Sequence, residues 1–252
     1  MTLFTMEKRH DGFGAQFQTI LCGIIIAETD GDEYVHTPIQ SMEHNYDNSP
    51  DFLKEMEELM NLGAYTLSLS EENPKEIIHF QAFSLIAKFE SRIEEYSKSL
   101  SLVKLKKRFR ENKSNPFLEA DLAVPPINVA VHIRRPNPHD CRTEGTNIPD
   151  SYYLRIMKSI RDKVNKPLLF HIYSQGKPED FEEVFHAKDE QDVLLHINQS
   201  LPETFLGMVM ADILIMSNSS LSYSAAFLNE GEIHIPSSFW HKPFPSWIVE
   251  TI

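Results

Sequence analysis

The chain has 252 residues, of which 41% are hydrophobic and 24% charged, a composition that excludes a disordered chain, a collagen-like repeat and a coiled coil. Its length suffices for one large domain or two small ones, each with a buried core. Thirty-seven acidic against 24 basic side chains give a formal net charge of -13. That balance disfavours a broad electrostatic grip on nucleic acid or on an anionic membrane, so a bound phosphate must be met by a local basic site.

Cys22 and Cys141 stand far apart and form no CxxC pair, which argues against a disulfide framework and a structural zinc site. The opening residues carry no basic stretch followed by an apolar one, as a secretory signal would. The apolar run Ile24-Ile25-Ile26-Ala27 falls far short of the ~20 residues of a membrane span. The expectation is a cytoplasmic protein with no membrane span and no nucleic-acid partner.

In chain order, the first informative feature is the glycine pair in His10-Asp11-Gly12-Phe13-Gly14, in a chain with only 9 glycines. Phe13, Phe17, Ile20, Leu21, Ile24 and Ile25 then recur at helical spacing, which predicts a helix over 13–28 ending in the turn Asp30-Gly31-Asp32. A short strand is expected over 35–39. From Ser49-Pro50 to Lys113 the pattern reads as mostly helical, with helices over 77–96 and 99–110. The run Lys104-Leu105-Lys106-Lys107-Arg108-Phe109-Arg110 reads as a solvated helix face.

Beyond Val124-Pro125-Pro126 the texture changes. Strands over 127–133, 168–173, 193–197, 213–216 and 233–235 alternate with helices over 150–164, 179–186, 201–211 and 222–229. That alternation predicts a parallel sheet with helices on both faces. The reading is an α/β protein with a mostly helical N-terminal lobe, 1–125, and a Rossmann-like lobe, 126–252.

Ligands of such sheets bind beyond the carboxyl ends of the strands. Three segments fall there: Arg134-Arg135, Ser174-Gln175-Gly176 and Ser217-Asn218-Ser219-Ser220. An arginine offers a rigid fork of donors for phosphate oxygens. A serine-rich turn opening a helix adds hydroxyls, free amides and the positive end of the helix dipole. The Gly12-Phe13-Gly14 turn also opens a helix, but it lacks the spacing of a dinucleotide fingerprint or a P-loop. Asp30-Gly31-Asp32 has the form of a metal-holding Asp-x-Asp, yet it follows a predicted helix rather than a strand and reads as a surface turn. No metal ligands are assigned. The tryptophans Trp240 and Trp247, with Phe239 and Phe244, read as core packing near the C-terminus rather than as a surface for an acceptor sugar.

Three segments together resemble fucosyltransferases of the α1,2, α1,6 and protein-O type. His10-Asp11-Gly12-Phe13-Gly14-Ala15-Gln16-Phe17 looks like their opening Gly-Gly-x-Gly-Asn-Gln segment. Val131-His132-Ile133-Arg134-Arg135-Pro136-Asn137 resembles their His-x-Arg-Arg-x-Asp motif, and 211–222 resembles their Ala-Asp strand followed by paired serines and a helix. The motifs arrive in the family's order over 10–230. Asn137 stands where the family usually has Asp, and Ala15 where it usually has Asn.

The resemblance implies a GT-B fold of two Rossmann-like lobes. It also implies an inverting, metal-independent transfer of sugar from a GDP- or UDP-linked donor to a glycan or glycoprotein acceptor, with no further cofactor. By position, Arg134 would hold the β-phosphate, with Arg135 beside it, His132 would touch the nucleoside, and Ser219 and Ser220 the phosphates. Gly12, Phe13 and Gly14 would bring the first helix to the diphosphate, and Ser174 lines the same crevice. Glu144 is the leading candidate for the base that deprotonates the acceptor hydroxyl, with Asp140 second. The departures at Asn137 and Ala15 leave a UDP-linked pentose or deoxysugar open as donor. The alternative from another class is a binding module that keeps the diphosphate cradle and has lost its base.

Overall fold

A computed structural model describes residues 2–45, 48–65, 77–117, 124–135, 147–185 and 191–252. The chain divides into two compact units, Met1–Lys113 and Ser114–Ile252. No described helix is long and apolar enough to cross a membrane.

The first unit contains β1 (Leu3–Met6), α1 (Phe13–Asp30), β2 (Glu33–Tyr34), α2 (Phe52–Met60), a 3-10 turn (Gly63–Tyr65), β3 (Ile77–Phe80), α3 (Ala82–Ser91), α4 (Ile93–Tyr96) and α5 (Leu100–Arg110). Its sheet runs β2-β1-β3 and is parallel throughout. The unit is thus less helical than its sequence suggests. The helix expected over 77–96 is a strand followed by two helices, because Ile77 to Phe80 pair residue for residue with Leu3 to Met6. Short apolar runs satisfy either period, and only a partner strand decides between them. The expected strand over 35–39 lies earlier, at Glu33–Tyr34, and Val35 continues it by donating its N–H to Phe4 O at 2.7 Å.

Helix α1 is the core of this unit, with Phe13, Phe17, Leu21, Ile24 and Ile25 all nearly inaccessible to solvent. Each such side chain contributes roughly 1.5–3 kcal/mol by leaving water. Gly31 closes the helix at φ 84°, a left-handed conformation that glycine adopts without strain, and Asp32 N–H returns to Ala27 O at 2.8 Å. Both carboxylates of the Asp30-Gly31-Asp32 turn have local partners. Asp30 accepts from Lys88 and Arg92, each at 2.7 Å, and Asp32 accepts the Thr2 N–H at 3.0 Å. In α5, Leu102, Leu105 and Phe109 are buried while Lys104 and Lys107 are exposed, the solvated basic face the sequence predicts.

The second unit contains β4 (Ile127–Ile133), α6 (Asp150–Lys163), β5 (Leu168–Ser174), α7 (Pro178–Val184), β6 (Val193–Ile197), α8 (Leu201–Met210), β7 (Ile213–Ile215), α9 (Ser220–Leu228), β8 (Glu232–Pro236) and β9 (Ile248–Glu250). The sheet order is β6-β5-β4-β7-β8-β9, parallel at every ladder. The alternating reading of 126–252 therefore holds element by element, and β9 is an addition that the sequence pattern does not announce.

Strand alternation sorts the sheet into two faces. Val129, Val131, Ile133, Phe170 and Ile172 pack with α6 and α7 through Tyr153, Ile156, Met157, Phe181 and Phe185. On the other face lies α8, whose Gly207 admits the ring of Tyr173. A Cβ built at Gly207 would stand 2.1 Å from the Tyr173 hydroxyl and 2.5 Å from its Cζ. Helix α8 itself begins with a complete capping box between Ser200 and Glu203.

Alanine at position 207 gains ~1 kcal/mol of helix propensity and meets an overpacking cost of ~1–3 kcal/mol. Tyr173 is stacked on His196 at 4.7 Å and has little room to swing aside. Gly207→Ala should therefore lower the urea unfolding midpoint. An unchanged or raised midpoint would mean the ring relocates freely.

Candidate functional site

In the second unit, the order of strands reverses at β4. The chain proceeds from β4 outward to β5 and β6, then returns to place β7 on the other edge of β4. Such a reversal opens a crevice at the carboxyl ends, where ligands of open α/β sheets bind. The β4–β7 ladder ends with Val131 opposite Ile215. Three residues further along each chain stand Arg134 and Asn218, so the double arginine and the serine turn come to the same rim of the sheet.

The two arginines follow directly on β4. Arg135 follows the face of Val131 and Ile133. There it makes an ion pair with Asp150, in the first turn of α6, and its guanidinium lies 5.4 Å from the centroid of Phe181. The charge of Arg134 acts on the His132 imidazole. Burial, with Arg134 second, holds His132 down at about 3, so this ring is neutral near pH 7. Its Nδ1 is buried and has no partner among the described residues.

The serine turn is built into α9. Ser219 caps the helix, its Oγ accepting the Leu221 N–H at 3.2 Å, and Ser222 Oγ donates back to Ser219 O at 3.1 Å. Asn218 is clamped to the loop after β8: its Nδ2 donates to Ser238 Oγ at 2.8 Å, and Ser238 Oγ donates to Asn218 Oδ1 at 3.1 Å. Ser220, the first residue of α9, is partly exposed at the rim. Ser174, at the end of β5, spends its proton on Ile133 O at 2.7 Å, tying the carboxyl ends of β5 and β4 together.

Beneath the rim a polar chain crosses three strands. The register sets His132 beside Tyr173 and Tyr173 beside His196. His171 bridges His196 at 2.9 Å and Asn128 Oδ1 at 3.0 Å. Burial, then the neighbouring His196, lowers His171 to about 4, and burial also lowers His196 against the opposing pull of Glu203. The sequence reading missed this chain and missed Asp150 as the partner of Arg135. Histidines in apolar strands look like core residues until the register aligns them.

The glycine turn belongs to the first unit. Gly12 is the N-cap of α1, with φ -66° and ψ 160°, and a Cβ there would stand 2.7 Å from His44 Cδ2. Gln16 fastens the turn by donating to Asp11 O at 2.6 Å and Ser41 O at 3.0 Å. Phe13 is a buried core residue of α1, and Gly14 is buried beside it. Asp140 and Glu144, the candidate bases, lie outside the described residues, as do Asn137 and Cys141.

No protein-family model matches the chain, and no curated protein matches it in sequence. Among solved structures, the chain is similar to E. coli heptosyltransferase WaaC with ADP, at 11% identity and a TM-score of 0.47, covering 100% of this chain and 93% of that one. It is similar to the fucosyltransferase NodZ from Bradyrhizobium at 12% identity and a TM-score of 0.43, covering 91% and 94%. It is similar to POFUT1 in complex with GDP at 13% identity and a TM-score of 0.32, covering 100% and 74%.

The buried neutral histidines set a pH dependence. The unfolded chain takes up protons near the ordinary histidine value of 6.5, whereas folded His132 and His171 resist to about 3 and about 4. Their contribution to stability is complete above pH 6.5 and is lost progressively as pH falls toward those values. Urea midpoints measured from pH 7.5 to pH 4.5 should fall, and His132→Asn should make that decline shallower. A decline of equal steepness in the variant would exclude His132 as a source.

Proposed function

We propose that the chain is a GT-B-type glycosyltransferase that moves a sugar, with inversion and without a metal, from a nucleoside-diphosphate donor to a glycan hydroxyl. The observation that carries this reading is the convergence of Arg134 and the serine turn on the β4/β7 switch point of a parallel sheet. The motif resemblance supports it as well. The site answers the requirement that the acidic composition imposes, a local home for phosphate.

Transfer with inversion needs a base for the attacking hydroxyl and a group to stabilise the departing diphosphate. Arg134 supplies a fixed positive fork for the β-phosphate. The amino end of α9, with the Ser219 and Ser220 hydroxyls, supplies oriented amide dipoles. These dipoles are already in place, held by the Asn218–Ser238 clamp and the Ser219 cap, so little reorganisation accompanies charge development. His132 is neutral and offers the nucleoside a ring nitrogen without adding charge. Arg135 acts at one remove, joining the end of β4 to the first turn of α6 through Asp150. Glu144, or failing it Asp140, takes the proton of the acceptor hydroxyl. The donor is GDP- or UDP-linked. Asn137, in place of the family's Asp, favours keeping a UDP-linked pentose or deoxysugar beside fucose.

The test is a binding and turnover panel of GDP-fucose, GDP-mannose, UDP-xylose, UDP-glucose and UDP-rhamnose, with and without EDTA. One donor should bind selectively and release sugar slowly in EDTA. Binding only with Mn²⁺, or none at all, would overturn the reading. Arg134→Ala should weaken donor binding by about 10²-fold, the loss of charged hydrogen bonds worth roughly 1.5–3 kcal/mol each. Arg135→Ala should act mainly on stability, through the stranded Asp150. Glu144→Gln should abolish transfer and spare donor binding. If transfer persists in it and in Asp140→Asn, neither carboxylate is the base.

A further inference from the structure

Among the described residues of the second unit, one large aromatic side chain is exposed. Trp240 is 50% exposed, whereas Phe239, Phe244 and Trp247 around it are buried at 9%, 4% and 8%. This corrects the reading of all four as core. Trp240 sits in the loop after β8, at the carboxyl end of that strand, which is the same rim that carries Arg134 and the serine turn.

The indole is mounted rather than loose. It lies against Phe239 with centroids 4.4 Å apart and the rings tilted by 31°, and Phe239 lies against Tyr223 of α9 at 4.8 Å and the same tilt. Tyr223 in turn donates its hydroxyl to Lys242 O at 2.6 Å. The loop is closed at its base by Ser237 N–H to Glu250 O at 2.8 Å and by Phe239 N–H to Pro236 O at 3.0 Å. Ser238, two residues from Trp240, is the clamp on Asn218 of the serine turn. The exposed ring and the candidate phosphate site are therefore parts of one rigid assembly. An indole mounted in this way offers a rigid aromatic face to a ligand on that rim.

The strand order says what that surface faces. Along the rim the loops follow one another as β6, β5, β4, β7, β8. A diphosphate over Arg134 and the serine turn spans β4 and β7. One end of the donor then extends over β5 and β6, above the polar row of His132, Tyr173 and His196, and the other extends over β8. Strands lie about 4.8 Å apart, so β8 is one spacing beyond the serine turn, within reach of a ring joined to the diphosphate. At the β5/β6 end the partly exposed His196 imidazole suits a nucleobase edge. The bare indole at the β8 end suits the apolar C–H face of a sugar, whose polarised hydrogens meet the negative face of the ring.

We propose that Trp240 is a specificity-determining platform that stacks against a sugar ring at the β8 end of the crevice, a proposal that rests on the nucleotide-sugar reading above. The ring is either the transferred sugar or the first sugar of the acceptor.

The experiment compares the unsubstituted protein, Trp240→Ala and Trp240→Phe by calorimetric titration with a nucleoside diphosphate and with the matching nucleotide sugar, and by acceptor KM in turnover. In Trp240→Ala the affinity for the nucleotide sugar should fall about tenfold relative to the nucleoside diphosphate, or the acceptor KM should rise by that factor with donor affinity unchanged. The first result assigns the ring to the donor and the second to the acceptor. Trp240→Phe should recover most of either loss, which a misfolded loop would not. Equal weakening of nucleotide and nucleotide sugar would mean that Trp240 holds the base, and no change in any quantity would mean that it holds nothing; either overturns the proposal. If the unsubstituted protein binds neither ligand, the reading beneath it falls and this one with it. If Arg134→Ala loses binding while Trp240→Ala changes neither binding nor the acceptor KM, only the platform falls.

Discussion

The hydrogen-bonded placement of β4 between β5 and β7 is the constraint on which the second unit depends. Every backbone amide along a buried parallel strand needs a partner, and two ladders supply them to β4. The chain leaves β4 in one direction and returns on its other side, which makes the carboxyl end of β4 the topological switch point of the sheet. The same pairing fixes the strand's alternation. Arg135 pairs with Asp150 of α6 and Arg134 acts on His132, although the two residues are adjacent and chemically identical.

A chain of net charge -13 that is to hold an anion faces long-range repulsion. In the proposed site it would be met by short-range, oriented groups, which lose little to solvent screening. One arginine, the amino end of α9 and its serine hydroxyls stand at the carboxyl ends of the neighbouring strands β4 and β7. The rigid parts of that arrangement are side-chain hydrogen bonds to backbone: the Ser219 cap, Ser222 to Ser219 O, and Ser174 to Ile133 O. Below them the neutral imidazoles add polarity without charge, since burial costs a protonated ring more than a neutral one.

The first unit obeys the same logic with different emphasis. Its central helix α1 is buried on nearly every side and is stopped by Gly31, with Asp30 and Asp32 tied to neighbouring segments. What looks in isolation like a metal-binding pair of carboxylates is engaged as the fastening of a helix end. The basic run of α5 likewise resolves into an inward apolar stripe and an outward charged one.

The amino-acid sequence by itself determined the alternating α/β character of 126–252, because short apolar runs there alternate repeatedly with longer helical stretches. It also determined the buried helix, read over 13–28 and observed over 13–30, and the three rim segments, since the carboxyl-end rule needs only element order. Tertiary structure alone decided the rest, because it depends on which strand lies beside which. Pairing with Leu3 to Met6 made Ile77 to Phe80 a strand, and register aligned His132, Tyr173 and His196 across three strands. Packing separated Trp240 from Phe239, Phe244 and Trp247, four aromatics whose spacing carries no period, so no local pattern distinguishes the one left facing water.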